Sequence, residues 1–393
     1  MLFAAPRPPD RLRPPTRVPR TPPRPAMRLR TRPRMSNDAI PAGPRASRRA
    51  VGPRKRRRGL KVTLGVLLVL LLAGGSTVYW LYSRLDGNIK GVDIDTALGD
   101  DRPRKLPTSG QNLLVLGSDS RAGAENEELG GGGKAGGARS DTALVVHIPE
   151  GRSRAVAVSI PRDTLVTRPE CTGENGTTVP AGERVMFNSV YAQVGPACVV
   201  KTVEKMSGVR IDHYLEIDFA GFKELVDAVG GVTVDVEQDI HDQASGLELA
   251  AGRQRLDGTQ SLAYVRTRHG IGDGSDLGRI GLQQQFLVAL LSEVKSQDLL
   301  GSPADSYRIA DSATKALTTD AGLASLTSLA EFGRSLNGID PASMETVMLP
   351  VAYDTADPNR VVAAEPQAGQ LWKALREDTA IPEAAKKSPA TGG

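Results

Sequence analysis

Cysteine and histidine are scarce in this chain, and this scarcity limits the metal sites that it can form. Its 393 residues include two cysteines and four histidines. Two thiols exclude a disulfide-dense scaffold and a zinc site with four cysteine ligands. The histidines show no metal-ligand spacing. Core or surface roles are therefore predicted for His147, His213, His241 and His269.

Two common catalytic signatures are also missing. The run Gly117-Ser118-Asp119-Ser120 lacks the Gly-x-Ser-x-Gly pattern of serine hydrolases. The glycine-rich stretch 130–137 lacks the Lys-Ser/Thr ending of a phosphate-binding loop. Aromatic residues make up only 4% of the chain, but hydrophobic residues reach 39%, so the chain can still bury a core.

Charge is distributed unevenly along the chain. Residues 1–60 hold 18 of the 50 basic residues and only two acidic ones, whereas residues 62–393 carry a net charge of about −12. The acidic body excludes a uniformly basic nucleic-acid-binding protein. The Pro- and Arg-rich segment 1–60 shows almost no apolar periodicity and is predicted to be disordered and cytoplasmic. Met27 and Met35 are alternatives to Met1 as the start of the protein.

One uninterrupted apolar run predicts a transmembrane helix over residues 61–83. The stretch Val62–Tyr82 contains no charge and has the roughly 20 residues that cross a bilayer. A basic cluster at 54–58 precedes it, and the positive-inside rule therefore places the N-terminus in the cytoplasm and the remainder outside. The alternative is a cleaved signal peptide. The length of the run and the bulky aromatic residues at its end favour an uncleaved anchor.

The outside placement gives the two cysteines a role. An oxidising compartment permits a disulfide between Cys171 and Cys198, which would be worth roughly 3 kcal/mol by the chain-entropy estimate. Two unpaired buried thiols are the alternative.

Strand and helix patterns alternate after the apolar run. A linker is predicted over 84–110, a catalytic domain over 111–377 and a disordered tail over 378–393. The alternation predicts an α/β fold with a central mixed β-sheet sandwiched by helices.

Polar residues at the ends of apolar strands mark the candidate site. Asp119 follows one strand and Asp141 precedes the next, so the two carboxylates suit Mg²⁺ or Mn²⁺. Arg162 and Asp163 follow a third strand. A third group of polar residues comprises Arg266 and Arg268, on one side of the chain if it is extended, with Arg279 and Gln283 one helical turn apart. Turn aspartates and internal ion pairs are the alternatives.

Six segments together resemble the LytR-CpsA-Psr family of bacterial cell-envelope ligases. They are NLLVLGSDSR (112–121), ARSDTALVVHIP (138–149), AVSIPRDT (157–164), HYLEIDFAGFKELVDAVGGVTVDV (213–236), LDGTQSLAYVRTRH (256–269) and DLGRIGLQQQF (276–286). The cysteine-bearing segment and the anchor flank resemble members from high-GC Gram-positive bacteria.

The resemblance implies an extracytoplasmic phosphotransferase held in the lipid bilayer. Such enzymes take a glycopolymer from a polyprenyl-pyrophosphate donor and attach it to peptidoglycan through a phosphodiester. The family pattern assigns metal binding to Asp119 and Asp141, and pyrophosphate binding to Arg162, Arg266, Arg268, Arg279 and Gln283, with Arg121 and Arg139 as supporting cations. Many members carry an arginine where this chain has Leu282.

Several assignments stay open from the sequence. Asp141 or Asp163 could help to deprotonate the acceptor hydroxyl. The lipid needs an apolar tunnel, and its candidate walls, which could equally be core, are Leu225, Val226, Val229, Phe286, Leu287 and Leu290. The alternatives in function are a polyprenyl-pyrophosphate hydrolase and a non-catalytic transcriptional regulator with a DNA-binding basic arm. No nucleic-acid partner is expected, and the identity of the polymer is open.

Overall fold

The computed structural model describes residues 56–118, 140–173, 176–243, 245–267, 276–296 and 302–391. Residues 1–55, which are most of the segment predicted to be disordered (1–60), lie outside the described residues. The same is true of Asp119, Arg121, Arg139 and Arg268.

The predicted membrane anchor is a helix, α1 (Arg56–Asn88). Its leucines and valines from Leu60 to Val78 are exposed, and residues Gly59–Asn88 are long and apolar enough to cross a membrane. Such exposure is unfavourable in water and natural in lipid. The structure therefore contains the single apolar N-terminal helix that the sequence predicts.

The segment predicted as a linker, 84–110, differs from that expectation. The last turn of α1 reaches Asn88, a short strand β1 (Lys90–Val92) joins the central sheet, and helix α2 (Ile94–Leu98) buries Ile94 and Leu98. The sequence gives little sign of β1, because three residues show no periodicity and the partner strand lies more than 200 residues away.

The remaining elements follow in chain order. The strands are β2 (Gln111–Ser118), β3 (Ser140–Ile148), β4 (Val156–Ser159), β5 (Leu165–Arg168), β6 (Cys171–Thr172), β7 (Thr178–Val179), β8 (Gly182–Met186), β9 (His213–Asp218), β10 (Val232–Val236), β11 (Ile240–Asp242), β12 (Leu247–Leu249), β13 (Gly252–Leu256), β14 (Leu317–Asp320), β15 (Glu345–Met348), β16 (Val351–Tyr353) and β17 (Val361–Ala363). The helices are α3 (Phe187–Val194), α4 (Pro196–Ser207), α5 (Phe219–Val229), α6 (Gly258–Arg266), α7 (Asp276–Ser296), α8 (Pro303–Ala316), α9 (Leu326–Ser335) and α10 (Gln367–Arg376).

A seven-stranded mixed sheet lies at the centre, in the order β1-β14-β9-β2-β3-β4-β15. The pairs β1–β14, β2–β9 and β4–β15 are parallel, and the other three pairs are antiparallel. Helices α3, α4 and α10 pack on one face through a core that includes Leu114, Val145 and Val199. Helices α5, α6 and α7 line a cavity on the other face. The predicted fold class is confirmed.

The apolar pattern of residues 185–206 predicts helix, but the structure divides this stretch between a strand and two helices. Strand β8 ends at Met186, and Gly195 then separates α3 from α4 with φ +100°, a conformation that favours glycine. Pro196 begins α4, where its missing N–H costs nothing. Cys198 on α4 forms a disulfide with Cys171 of β6.

The predicted disordered tail, 378–393, is also different as far as it is described. Asp378 accepts hydrogen bonds from the Glu150 N–H (3.0 Å) and the Thr108 hydroxyl (2.8 Å). Ile381 and Ala385 are buried. The chain end therefore packs on the domain through isolated apolar residues, which leave no periodic pattern in the sequence.

We expect Arg102→Met to lower the free energy of unfolding by about 3–5 kcal/mol, because it leaves a buried carboxylate unpaired. The Arg102 guanidinium donates to Glu204 Oε1 at 2.8 Å and to the Ile211 carbonyl at 2.6 Å, and both charged side chains are nearly inaccessible to water. The matched variant Arg308→Met breaks an exposed ion pair and should cost less than about 1 kcal/mol. Urea unfolding in detergent measures both, and equal losses would contradict a buried charge pair.

Buried His147 gives the domain a pH-dependent stability. Its Nδ1 lies 2.8 Å from Asn112 Oδ1, and its Nε2 lies 3.1 Å from Asp378 Oδ1. Burial lowers the pKa of His147 below its usual 6.5, although the Asp378 carboxylate opposes this shift. Burial alone would raise the pKa of Asp378, but the hydrogen bonds from Glu150, Thr108 and His147 lower it below 3.8.

The unfolded chain therefore binds a proton at position 147 more readily than the native protein does. We expect the contribution of His147 to the free energy of unfolding to be fully present above pH 6.5 and to be lost as the pH falls below 6.5. The contribution of Asp378 is lost only below about pH 3.8. The free energy of unfolding of His147→Asn should lose this dependence below pH 6.5. His241 is exposed, and the control variant His241→Asn should keep the pH dependence. If this control also lost the pH dependence, His147 would not be its cause.

Candidate functional site

The cavity on the α5–α7 face of the sheet has a volume of about 630 Å³. Its floor is formed by strand side chains, namely Val115, Leu144, Leu215, Ile217 and Leu317. Its walls come from α5, α6 and α7. Volumes of roughly 300–1,000 Å³ are typical of small-ligand sites. We call it the apolar cavity.

Arg266 lies on this cavity at the C-terminus of α6. A capping box between Asp257 and Gln260 begins the helix, and a cation at its last turn is favoured by the helix dipole. The exposed guanidinium lies 4.7 Å from the centre of the Phe219 ring. The sequence predicts that Arg266 and Arg268 lie on one side of the chain if it is extended. Arg266 lies in a helix, so this condition is not met at residue 266.

One stripe of α7 supplies two more of the predicted residues. Arg279 and Gln283 are one turn apart, as their spacing predicts, and both line the apolar cavity. Gln283 Nε2 donates to the Val265 carbonyl at 3.1 Å, which ties α7 to α6 beside Arg266. Arg279 is buried. Its fixed positive charge in a poorly solvated setting attracts an anion strongly.

The same stripe becomes apolar further along the helix. Leu287 and Leu290 follow Gln283 on the cavity side, and Leu225 of α5 lies across from them in the lining. From Arg279 to Leu290 the helix rises about 16 Å. The cavity therefore has arginines at one end and apolar side chains along its length, and its lining also includes the carboxylates of Glu216, Asp218 and Asp242. Among the tunnel candidates, Leu225, Leu287 and Leu290 line it, whereas Val226, Val229 and Phe286 are buried core residues.

Strand register places Asp141, one of the two predicted metal-binding residues, at the paired ends of β2 and β3. Ser118 at the end of β2 pairs with Ser140 at the start of β3, while Gly117 pairs with Thr142. Asp141 is therefore the extra residue of a β-bulge, a feature frequent beside active sites. Asp119 is covalently joined to Ser118 but lies outside the described residues. Among the described residues no group of three or more metal-ligating side chains comes together.

Arg162 and Asp163 are not among the residues that line the apolar cavity. Asp163 is 3.5 Å from Arg162 Nε and accepts a hydrogen bond from Arg360 Nη1 at 3.1 Å. The same end of the sheet is linked to α7 by Gln284 Nε2, which donates to Ser159 Oγ at 3.0 Å. Asp163 is thus held between two arginines, and Asp141 and Asp163 both stay predictions as the base.

Sequence reasoning missed many contributors to the cavity, and three of them are close to its chemistry. Phe222 of α5 lines its apolar wall, and Glu216 and Asp218 lie at the end of β9. The Glu216 carboxylate is buried and accepts hydrogen bonds from the hydroxyls of Tyr191 (2.7 Å) and Tyr214 (2.5 Å). A charged residue in an alternating strand is the signal that could have identified Glu216. Leu282, where many family members have arginine, is buried in a core with Val226 and Phe286.

These observations define a mixed α/β sheet domain with an apolar-walled cavity that has arginines at one end. One membrane-type helix precedes this domain in the described part of the chain. The chain belongs to the LytR_cpsA_psr family, whose model matches residues 81–377. The predicted resemblance is confirmed.

Similar proteins come from Gram-positive bacteria. The probable cell wall biosynthesis protein LcpB of Corynebacterium glutamicum is 35% identical over 72% of this chain and 63% of its own length. The polyisoprenyl-teichoic acid–peptidoglycan teichoic acid transferase TagU of Bacillus mycoides is 32% identical over 62% of this chain and 73% of its own. A LytR-Csp2A-Psr enzyme from Actinomyces oris shares the fold, with a TM-score of 0.54 and 24% identity over 73% of this chain and 95% of the other. The Corynebacterium relative is consistent with the resemblance to members from high-GC Gram-positive bacteria.

Proposed function

We propose that this protein is a membrane-anchored transferase that moves a glycopolymer from a polyprenyl-pyrophosphate donor to peptidoglycan. The observation that carries the proposal is the apolar cavity, in which Arg266, Arg279 and Gln283 lie at one end and leucines continue along the wall. The name of the TagU relative supports transfer of a polymer to peptidoglycan, and the name of the LcpB relative supports a part in cell wall biosynthesis.

The cavity matches the two parts of such a donor. A polyprenyl tail is a long hydrocarbon, and its transfer from water to an apolar wall is favourable by about 25 cal/mol per Å². A pyrophosphate carries several negative charges, and guanidinium groups bind phosphate oxygens through two parallel hydrogen bonds. Arg266 and Arg279 supply such groups on neighbouring helices.

We propose that the reaction is an in-line attack on the phosphorus that bears the polymer. The acceptor hydroxyl oxygen forms a new P–O bond, the bridging P–O bond of the pyrophosphate breaks, and polyprenyl phosphate leaves with the electron pair. The hydroxyl proton passes to a base, for which Asp141 and Asp163 are the candidates. Phosphoryl transfer depends mainly on positioning and charge neutralisation, which the arginines provide.

Asp119 and Asp141 are the proposed ligands of Mg²⁺. The pairing of Ser118 with Ser140 supports this assignment, because it joins the two strand ends from which these residues continue. One or two carboxylates with substrate phosphates are the ligand set that Mg²⁺ prefers. The bound ion would neutralise charge on the phosphate oxygens.

The proposed topology places the N-terminus in the cytoplasm and the domain outside the membrane. The basic cluster at 54–58 before α1 supports this orientation. We expect a protease added to intact spheroplasts to digest the domain and to spare an epitope at the N-terminus. Digestion of the epitope alone would contradict the orientation.

A reconstituted transfer assay tests the proposed function. The full chain in detergent is incubated with a lipid-linked teichoic acid precursor and uncross-linked peptidoglycan, and the polymer bound to peptidoglycan and the released polyprenyl phosphate are measured. Equal amounts of both products are expected. Release of polymer phosphate into solution whether or not peptidoglycan is present would identify a hydrolase instead.

A further inference from the structure

A second cavity of about 560 Å³ lies on the opposite face of the sheet near the end of β9. Side chains of adjacent strand residues point to opposite faces. Leu215 and Ile217 face the apolar cavity, whereas Glu216 contacts Tyr191 of α3 on the other side. The end of β9 borders both cavities, because Glu216 and Asp218 belong to both linings.

The lining of this second cavity, which we call the polar cavity, is rich in polar groups. It includes two carboxylates, an ammonium group, a side-chain amide and hydroxyls, contributed by Glu216, Asp218, Lys90, Gln193, Thr318 and Tyr191. The disulfide between Cys171 and Cys198 joins the β6–β7 hairpin, which supplies Gly173, Thr177 and Val179 to the wall, to α4. Mixed donors and acceptors around a preformed space of this size suit a polyhydroxylated ligand.

The direction of the proposed reaction indicates which saccharide binds in this second cavity. The attacking and leaving oxygens of a phosphoryl transfer lie roughly in line. The leaving polyprenyl phosphate occupies the apolar cavity, so the attacking hydroxyl approaches from the other side. Asp218, which lies in both linings, is adjacent to Phe219, and the ring of Phe219 contacts Arg266. A ligand in the polar cavity is thus near the cationic end of the donor site.

We infer that the polar cavity binds a saccharide unit of the acceptor glycan and presents its hydroxyl to the donor phosphate. This inference rests on the proposed function, because it names the acceptor subsite of the same reaction. It is not the site of the sugar of the donor, which is attached to the pyrophosphate on the other face.

Direct binding tests the inference without the reaction. Soluble, uncross-linked peptidoglycan glycan strands are titrated into the full chain in detergent by calorimetry, with bare polyprenyl pyrophosphate as the second probe. Ala192→Trp, which places an indole in the polar cavity, and Gln193→Ala, which removes its amide, are compared with Ala304→Trp on the exposed start of α8. Unfolding midpoints verify that each variant folds.

We expect glycan affinity to fall at least about tenfold in Ala192→Trp and several-fold in Gln193→Ala, with the affinity for polyprenyl pyrophosphate unchanged. Ala304→Trp should bind both probes normally. Glycan affinity that is the same in all folded variants, or undetectable in the unmodified protein, would overturn the inference and leave the proposed function standing. If the variants weaken binding only of a donor that carries its saccharide, the cavity binds the donor sugar, and the inference is overturned as well. Failure of the unmodified protein to bind polyprenyl pyrophosphate would instead overturn the proposed function.

Discussion

Replacing Arg266 with alanine is expected to lower the rate of polymer transfer by about 10²–10³-fold, the usual cost of removing one donor from a charge-stabilising site. The guanidinium lies on the cavity at the end of α6 and is exposed, so the fold has little dependence on it. Its contact with the Phe219 ring is worth only about 0.5–1 kcal/mol at an exposed position. The unfolding midpoint should therefore hardly change.

Two further variants sharpen this experiment. Arg266→Lys keeps the charge but loses the planar fork, and an intermediate rate is expected because lysine cannot bind a phosphate through two parallel hydrogen bonds. Arg253→Ala removes an equally exposed arginine from β13, outside the cavity lining, and should retain full activity. Transfer by Arg266→Ala at the rate of Arg253→Ala would show that the cationic end of the cavity plays no part in the reaction.

Leu290→Trp is expected to weaken binding of a long-chain polyprenyl-pyrophosphate donor by roughly 100-fold. Leu290 is the cavity residue of α7 furthest from Arg279, so a larger side chain there displaces the distal part of the tail. Each buried methylene contributes about 0.8 kcal/mol, and a displacement that exposes four of them costs about 3 kcal/mol. A factor of ten in affinity corresponds to 1.4 kcal/mol.

The chain length of the donor separates a blocked cavity from a damaged fold. A donor with two isoprene units should bind the unmodified protein and Leu290→Trp about equally, because its tail ends before the obstruction. Leu329→Trp on α9 makes the same change outside the cavity lining and should bind both donors normally. An equal loss for long and short donors would mean that Leu290 acts through folding and not through the tail.

Local patterns in the sequence were sufficient for most elements of the sheet and for one stripe of the site. The apolar runs that became β2 and β3 predicted the strands, and the four-residue spacing of Arg279 and Gln283 predicted their common helix face. These features depend only on the periodicity of the backbone.

Other features depend on contacts that are distant in sequence. Strand β1 is stabilised by β14, and the chain end near Asp378 by β3 and its loop, so neither region carries a periodic signal of its own. The apolar residues of α5 show the same limit. Leu225 and Val226 are adjacent and equally apolar, and only the position of the sheet decides that the first lines the cavity and the second is core.

The central claim, that the apolar cavity holds the lipid of a pyrophosphate donor, is tested most directly by photo-crosslinking. A polyprenyl pyrophosphate with a benzophenone near the end of its tail is irradiated with the full chain in detergent, and the labelled peptides are identified by mass spectrometry. We predict labelling of the α7 peptide that contains Leu287 and Leu290, and its loss when unlabelled polyprenyl pyrophosphate competes. Labelling confined to α1, or labelling that the competitor does not reduce, would contradict the account.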